Sequence, residues 1–176
     1  MALKTATTYS RLAKNRPVAL ILISAAFYSA QVWASQEEWG VAVRNPSPSP
    51  DGSQVVFEAD FDGKQGLWIS NVSGTGLRKL TKDDEGDAEP AWSPRGDRIA
   101  FVSKRDGVSD IWLISPNGGS LVQLTRKQLN NEQPAWSPDG SKIAFVSARH
   151  GSSDIWIMNA DGNLPKLRAR IHQHCF

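Results

Sequence analysis

The stretch PAWSPRGDRIAFVS runs from Pro90 to Ser103, and PAWSPDGSKIAFVS runs from Pro134 to Ser147. The two begin 44 residues apart, and 17 of 26 positions are identical between Pro90 to Ser115 and Pro134 to Asn159. A fixed period of this length marks a chain built from stacked supersecondary units. Working outward, the turn SPDG at Ser49 to Gly52 recurs as SPRG at Ser93 to Gly96 and SPDG at Ser137 to Gly140. Phe57, Phe101 and Phe145 keep the same step, as do Trp68, Trp112 and Trp156, and Gly63, Gly107 and Gly151. Three units are therefore legible, over 46–89, 90–133 and 134–164.

Each unit reads as four short strands. In the second, PAWS is the first strand, and SPRG is a turn with Pro presetting φ at its second position. RIAFVS is the second strand, KRDGVS a loop, DIWLIS the third strand, PNGG a turn and LVQLT the fourth strand. Strands of five or six residues with frequent turns predict an all-β fold. IAFV and IWLI do not alternate, so both faces of these strands should be buried. A two-layer sandwich would leave one face wet. In a β-propeller each four-stranded blade packs between two neighbours, and a 44-residue period suits one blade. A short-period solenoid would not need four strands per period. The expected architecture is thus a β-propeller of four-stranded blades with three blades present, an incomplete ring.

The flanks read differently. Residues 1–34 carry Lys4, Arg11, Lys14 and Arg16 with no acid, then the apolar run PVALILISAAFY, then Val32 and Ala34 ahead of Ser35. This is the three-part secretory pattern, and it predicts cleavage after Ala34. The apolar run is shorter than the ~20 residues that span a bilayer, so no stable membrane span is expected after cleavage. No Cys follows it in the manner of a lipoprotein signal. The remainder holds 16 basic and 18 acidic residues, so the overall basicity gives no argument for a nucleic-acid partner. Residues 35–45 form a lead-in, and 165–176 read as an irregular tail. Cys175 is the single cysteine, so the fold must hold without an intrachain disulfide.

PAWSPDGSKIAFVS with the following SDIWIMNADG resembles the repeat of TolB-type β-propellers, a WD-like repeat of bacterial periplasmic proteins. The same repeat occurs in the propeller domains of prolyl-oligopeptidase-type serine peptidases. The resemblance covers Pro46 to Gly162 and is specific for the repeat, much less for the function. It implies an exported, non-enzymatic protein-interaction role in the Tol–Pal system of the cell envelope, with a peptidoglycan-associated lipoprotein as partner. The alternative it allows is the N-terminal propeller piece of a secreted serine peptidase. It also implies six or more blades, where this chain offers three. Two readings follow: a piece of a longer product, or two copies closing a six-bladed ring, with Trp39 to Val43 supplying a missing outer strand. Three positions depart from the pattern. Arg95 replaces the turn Asp, Pro48 stands where Trp92 and Trp136 stand, and the third unit lacks the Leu-Thr of Leu80-Thr81 and Leu124-Thr125.

In a meander, alternate loops share one side. The loops KRDGVS and KDDEGDAE are longer and more charged than the SPDG turns opposite. They make Arg105, Asp106, Arg149, His150, Asp83, Asp84, Glu85 and Asp87 the candidate partner-binding residues. DDEGDAE lacks EF-hand spacing, and HQHC at 172–175 matches no structural zinc pattern, so no metal or other cofactor is expected. No G-x-S-x-G elbow and no Ser/His/Asp set stand out. Asp110 and Asp154, just before IW, are expected to cap the hairpin through backbone N–H groups.

Overall fold

The computed structural model describes residues 42–61, 63–82, 86–126, 130–148, 153–163 and 166–169, with backbone only for the last four. The expected signal segment lies outside the described residues. Twelve strands form three four-stranded antiparallel meanders, each ordered as in the sequence. Blade 1 holds β1 (Val43–Pro48), β2 (Gln54–Phe61), β3 (Lys64–Asn71) and β4 (Arg78–Lys79). Blade 2 holds β5 (Ala88–Trp92), β6 (Ile99–Ser103), β7 (Asp110–Ile114) and β8 (Val122–Gln123). Blade 3 holds β9 (Asn131–Trp136), β10 (Lys142–Ser147), β11 (Asp154–Asn159) and β12 (Lys166–Ala169). The all-β reading and the four strands per unit hold.

Local chemistry sets the turns. In all three S-P-x-G turns the Gly amide donates to the Ser carbonyl at 2.9 Å, and Gly52, Gly96 and Gly140 sit at φ of 70°, 77° and 66°. Glycine reaches that left-handed backbone without a steric cost. Asp51 closes its turn by accepting from Ser49 Oγ at 2.6 Å and from the Ser53 amide at 3.0 Å. Its carboxyl is held down at about 2, chiefly by the Ser49 hydroxyl and then by Ser53. The same contacts from Ser137 and Ser141 hold Asp139 well below the usual carboxylate range. Arg95 is accommodated in the second turn and sends Nε across to the Asp139 carbonyl of the next blade at 3.1 Å.

Packing between blades follows one rule. Ile99, Phe101, Trp112 and Ile114 of blade 2 pack on Val56, Leu67 and Ile69 of blade 1. Ile143, Phe145, Trp156 and Met158 of blade 3 pack in the same way on Ala100, Val102, Ile111 and Leu113 of blade 2. Every blade thus has a large aromatic face and a smaller aliphatic face. Full burial of such side chains stabilises by about 1.5–3 kcal/mol each. β1 lies against β5 and β5 against β9, so the first strands sit side by side on the inside of the fan.

Four expectations need correction. The inner strands start earlier than the repeat boundaries at 90 and 134: β5 opens at Ala88 and β9 at Asn131, because each strand continues past a bulge. Val43 opens the inner strand of blade 1 and pairs with Ala59, so it is not an outer strand closing a ring; residues 39–41 lie outside the described residues. The fourth strands of blades 1 and 2 are two residues long, because Leu124 and Thr125 leave the ladder to donate together to the Ile111 carbonyl. The tail, expected to be irregular from 165, contains β12, whose backbone pairs with β11 although the Leu-Thr is gone.

Candidate functional site

The candidate loop residues do not form one cluster. Arg105 donates from Nη2 to both carboxylate oxygens of Asp87 at 3.0 and 3.1 Å and from Nε to Ser103 Oγ at 2.8 Å. Its guanidinium also lies over the Trp112 ring, 4.8 Å from the centroid. The Asp87 side chain is wholly buried. This pair ties the lead-in of blade 2 to its own hairpin, which is a structural job. Asp106 is exposed at the loop tip. Asp83, Asp84, Glu85, Arg149 and His150 lie outside the described residues.

On the same side, the inner strands carry a feature the sequence reading missed. Asn45, Glu89 and Gln133 hold φ of 48°, 52° and 54°, one per blade at the 44-residue step. Glu58 Oε1 accepts from Asn45 Nδ2 at 2.6 Å and from the Glu89 amide at 2.5 Å. Glu89 Oε2 in turn accepts from the Gln133 amide at 2.6 Å. Each carboxylate thereby holds the bulge of the following blade. The signal was present as polar residues at a constant step, but nothing in their identity announces left-handed backbone.

On the opposite side, the S-P turns enclose an open groove of about 490 Å³ lined by Pro48, Pro50, Trp92, Pro94, Trp136 and Pro138, among others. The indole N–H of Trp92 donates to the Gly96 carbonyl, and that of Trp136 donates to the Ala91 carbonyl. The groove therefore offers flat apolar surface with serine hydroxyls between. Among the described residues no three His, Cys, Asp or Glu side chains gather to hold a metal ion. No helix there is long and apolar enough to cross a membrane.

Asp110 does not cap backbone as expected. It accepts from the side chains of Thr125 at 2.6 Å, Asn131 at 2.9 Å and Gln123 at 3.2 Å. Asp154, its equivalent in blade 3, is fully buried, and neither of its carboxylate oxygens has a partner among the described residues.

A fan of four-stranded blades with directional blade-to-blade packing defines a β-propeller protein of the WD-like type. Residues 6–125 and 90–171 match the PD40 family model, the TolB beta propeller domain, and the chain belongs to that family. It is 42% identical over 44 residues to the Tol-Pal system protein TolB of Anaeromyxobacter dehalogenans (strain 2CP-C), a match covering 25% of this chain and 10% of that protein. It also superposes on TolB from Acinetobacter baumannii with a TM-score of 0.64 and 30% identity, covering 70% of this chain and 31% of that one. Puromycin hydrolase shares the fold at a TM-score of 0.64 and 22% identity, over 73% of this chain and 22% of the enzyme. The chain thus spans a small part of the proteins it matches.

Proposed function

We propose that this chain serves as an exported, non-enzymatic protein-interaction propeller of the Tol–Pal type, working in the periplasm after cleavage behind Ala34. The observation that carries the reading is the open Pro/Trp groove, whose flat apolar walls and spent indole N–H groups suit a protein surface better than bond-making chemistry. The likeness to Tol-Pal system proteins supports the same class. The partner proposed is a peptidoglycan-associated lipoprotein, met by the groove or by the opposite side carrying Asp106, Arg149, His150, Asp83, Asp84 and Glu85.

The test is calorimetric titration of the mature chain with the soluble domain of that lipoprotein from the same cell. A dissociation constant in the range of about 1–100 μM, weakened tenfold or more by Trp136→Ala, is expected. Absence of binding at about 1 mM overturns the partner. Intact mass of the exported chain checks the cleavage, with Ser35 as the expected first residue.

The second reading, a propeller piece of a secreted serine peptidase, is favoured by the shared fold with puromycin hydrolase. Fluorophosphonate labelling of the native gene product separates the two, since only the peptidase reading predicts a labelled serine. A ring closed by two copies is a further arrangement within the first reading, and it turns on the outward face of blade 3.

A further inference from the structure

The aliphatic face of blade 2 is a seat, filled by blade 3. The equivalent face of blade 3 carries the same residue types and is uncovered. Ala100, Val102, Ile111 and Leu113 are at most 4% exposed. Their counterparts Ala144, Val146 and Ile157 are half-buried, and Ile155 is 36% exposed. Two polar features stop at the same place. Asp110 receives Asn131 from the first strand of the next blade, whereas Asp154 is buried with no partner. The chain of bulge contacts runs from Glu58 to Glu89 to Gln133, and Gln133 is exposed at its end.

We propose that the outward face of blade 3 is the docking seat for a further β-blade of the same repeat. That blade presents an Ile-x-Phe and Trp-x-Met face to Val146, Ile155 and Ile157. It carries an amide-bearing side chain at the first position of its inner strand, as Asn131 does, to donate to Asp154. Its inner-strand bulge places a backbone N–H against the side-chain oxygen of Gln133. A second copy of this chain is the weaker occupant on three counts. Its only end face of the right kind, Val55, Phe57 and Ala59, is already buried. It offers Ser70 where Ile114 and Met158 stand. It offers Val43 at the Asn131 position, which leaves Asp154 without a donor. The proposal does not depend on which protein the propeller binds elsewhere.

The test compares the full chain with the full chain extended by a copy of residues 131–176 joined after His174, which keeps the 44-residue step. Both carry Ile155→Cys in a Cys175→Ser background, with the copied Cys175 likewise changed, and the rate of thiol alkylation at position 155 is read. The unextended chain is expected to label fast and the extended chain at least tenfold slower, with Phe145→Ala in the added unit restoring the fast rate. Equal rates with and without the added unit overturn the proposal. Slow labelling of the unextended chain at every concentration also overturns it, because the face is then already covered. Labelling that slows with concentration, together with dimers in sedimentation velocity, puts a second copy in the seat and overturns the choice of occupant.

Discussion

Blades 2 and 3 have nearly the same inner sequence, IAFVS in each second strand and DIW opening each third, yet they live in different surroundings. Every residue of β6 and β7 is buried. In β10 and β11 the burial alternates, with Ile143, Phe145, Trp156 and Met158 covered and the residues between them open. The sequence is pitched for a two-sided site in each case. Position in the stack decides whether the second side is filled. The cost of deleting a side chain should therefore follow the blade, not the residue type.

Replacing Ile111 by Ala should cost about 3 kcal/mol in urea unfolding, as truncation in a filled core does. Ile155→Ala, the same change one blade on, should cost under about 1 kcal/mol. Equal losses would break the comparison. Arg105→Ala leaves the wholly buried Asp87 carboxylate alone and should cost about 3 kcal/mol. Adding Asp87→Ala in the same chain should recover part of that loss, which distinguishes an orphaned charge from lost packing. A sharper version uses the two aspartates. Asp110→Ala strands the donors of Thr125, Asn131 and Gln123 and should cost about 2 kcal/mol. Asp154→Ala removes a buried group that has nothing to accept from, and should leave stability unchanged or raised by about 1 kcal/mol.

The smallest effect is one of pH. Asp51 and Asp139 have depressed folded-state pKa values, so they bind a proton less readily folded than unfolded. Their contribution is full above about pH 4 and fades as pH falls through about 2 for Asp51. Blade 2 has Arg95 at this position and no such term. Carboxylate titration by NMR should place Asp51 near 2, and Asp51→Asn should flatten the acid limb of thermal melts. A normal value for Asp51 would remove this difference between the turns.

The strands and turns were legible because repetition made each unit a witness for the others. Gly52, Gly96 and Gly140 marked the turns, and IAFV with IWLI marked the two-sided strands. The starts of β5 and β9 were hidden because Glu89 and Gln133 break the strand pattern while the backbone continues through them. β12 was hidden because β11 can hold a partner by backbone hydrogen bonds alone, which RARI and its neighbours do not advertise. The Asp87–Arg105 pair escaped because its members are 18 residues apart in a loop that looked solvated. The state of Asp154 could not be read at all, since Asp110 has the same local sequence and three donors.

The left-handed residues at 45, 89 and 133 carry a warning for anyone assembling longer arrays from this unit. Backbone comfort alone would recommend glycine at such positions. At Glu89 that choice would discard the carboxylate gripping the amide of its neighbour. The unit tolerates an awkward torsion locally so that the adjoining unit is held in register. Averaging the repeats toward the most relaxed residue at each position would produce modules that are individually easier to form and collectively harder to join.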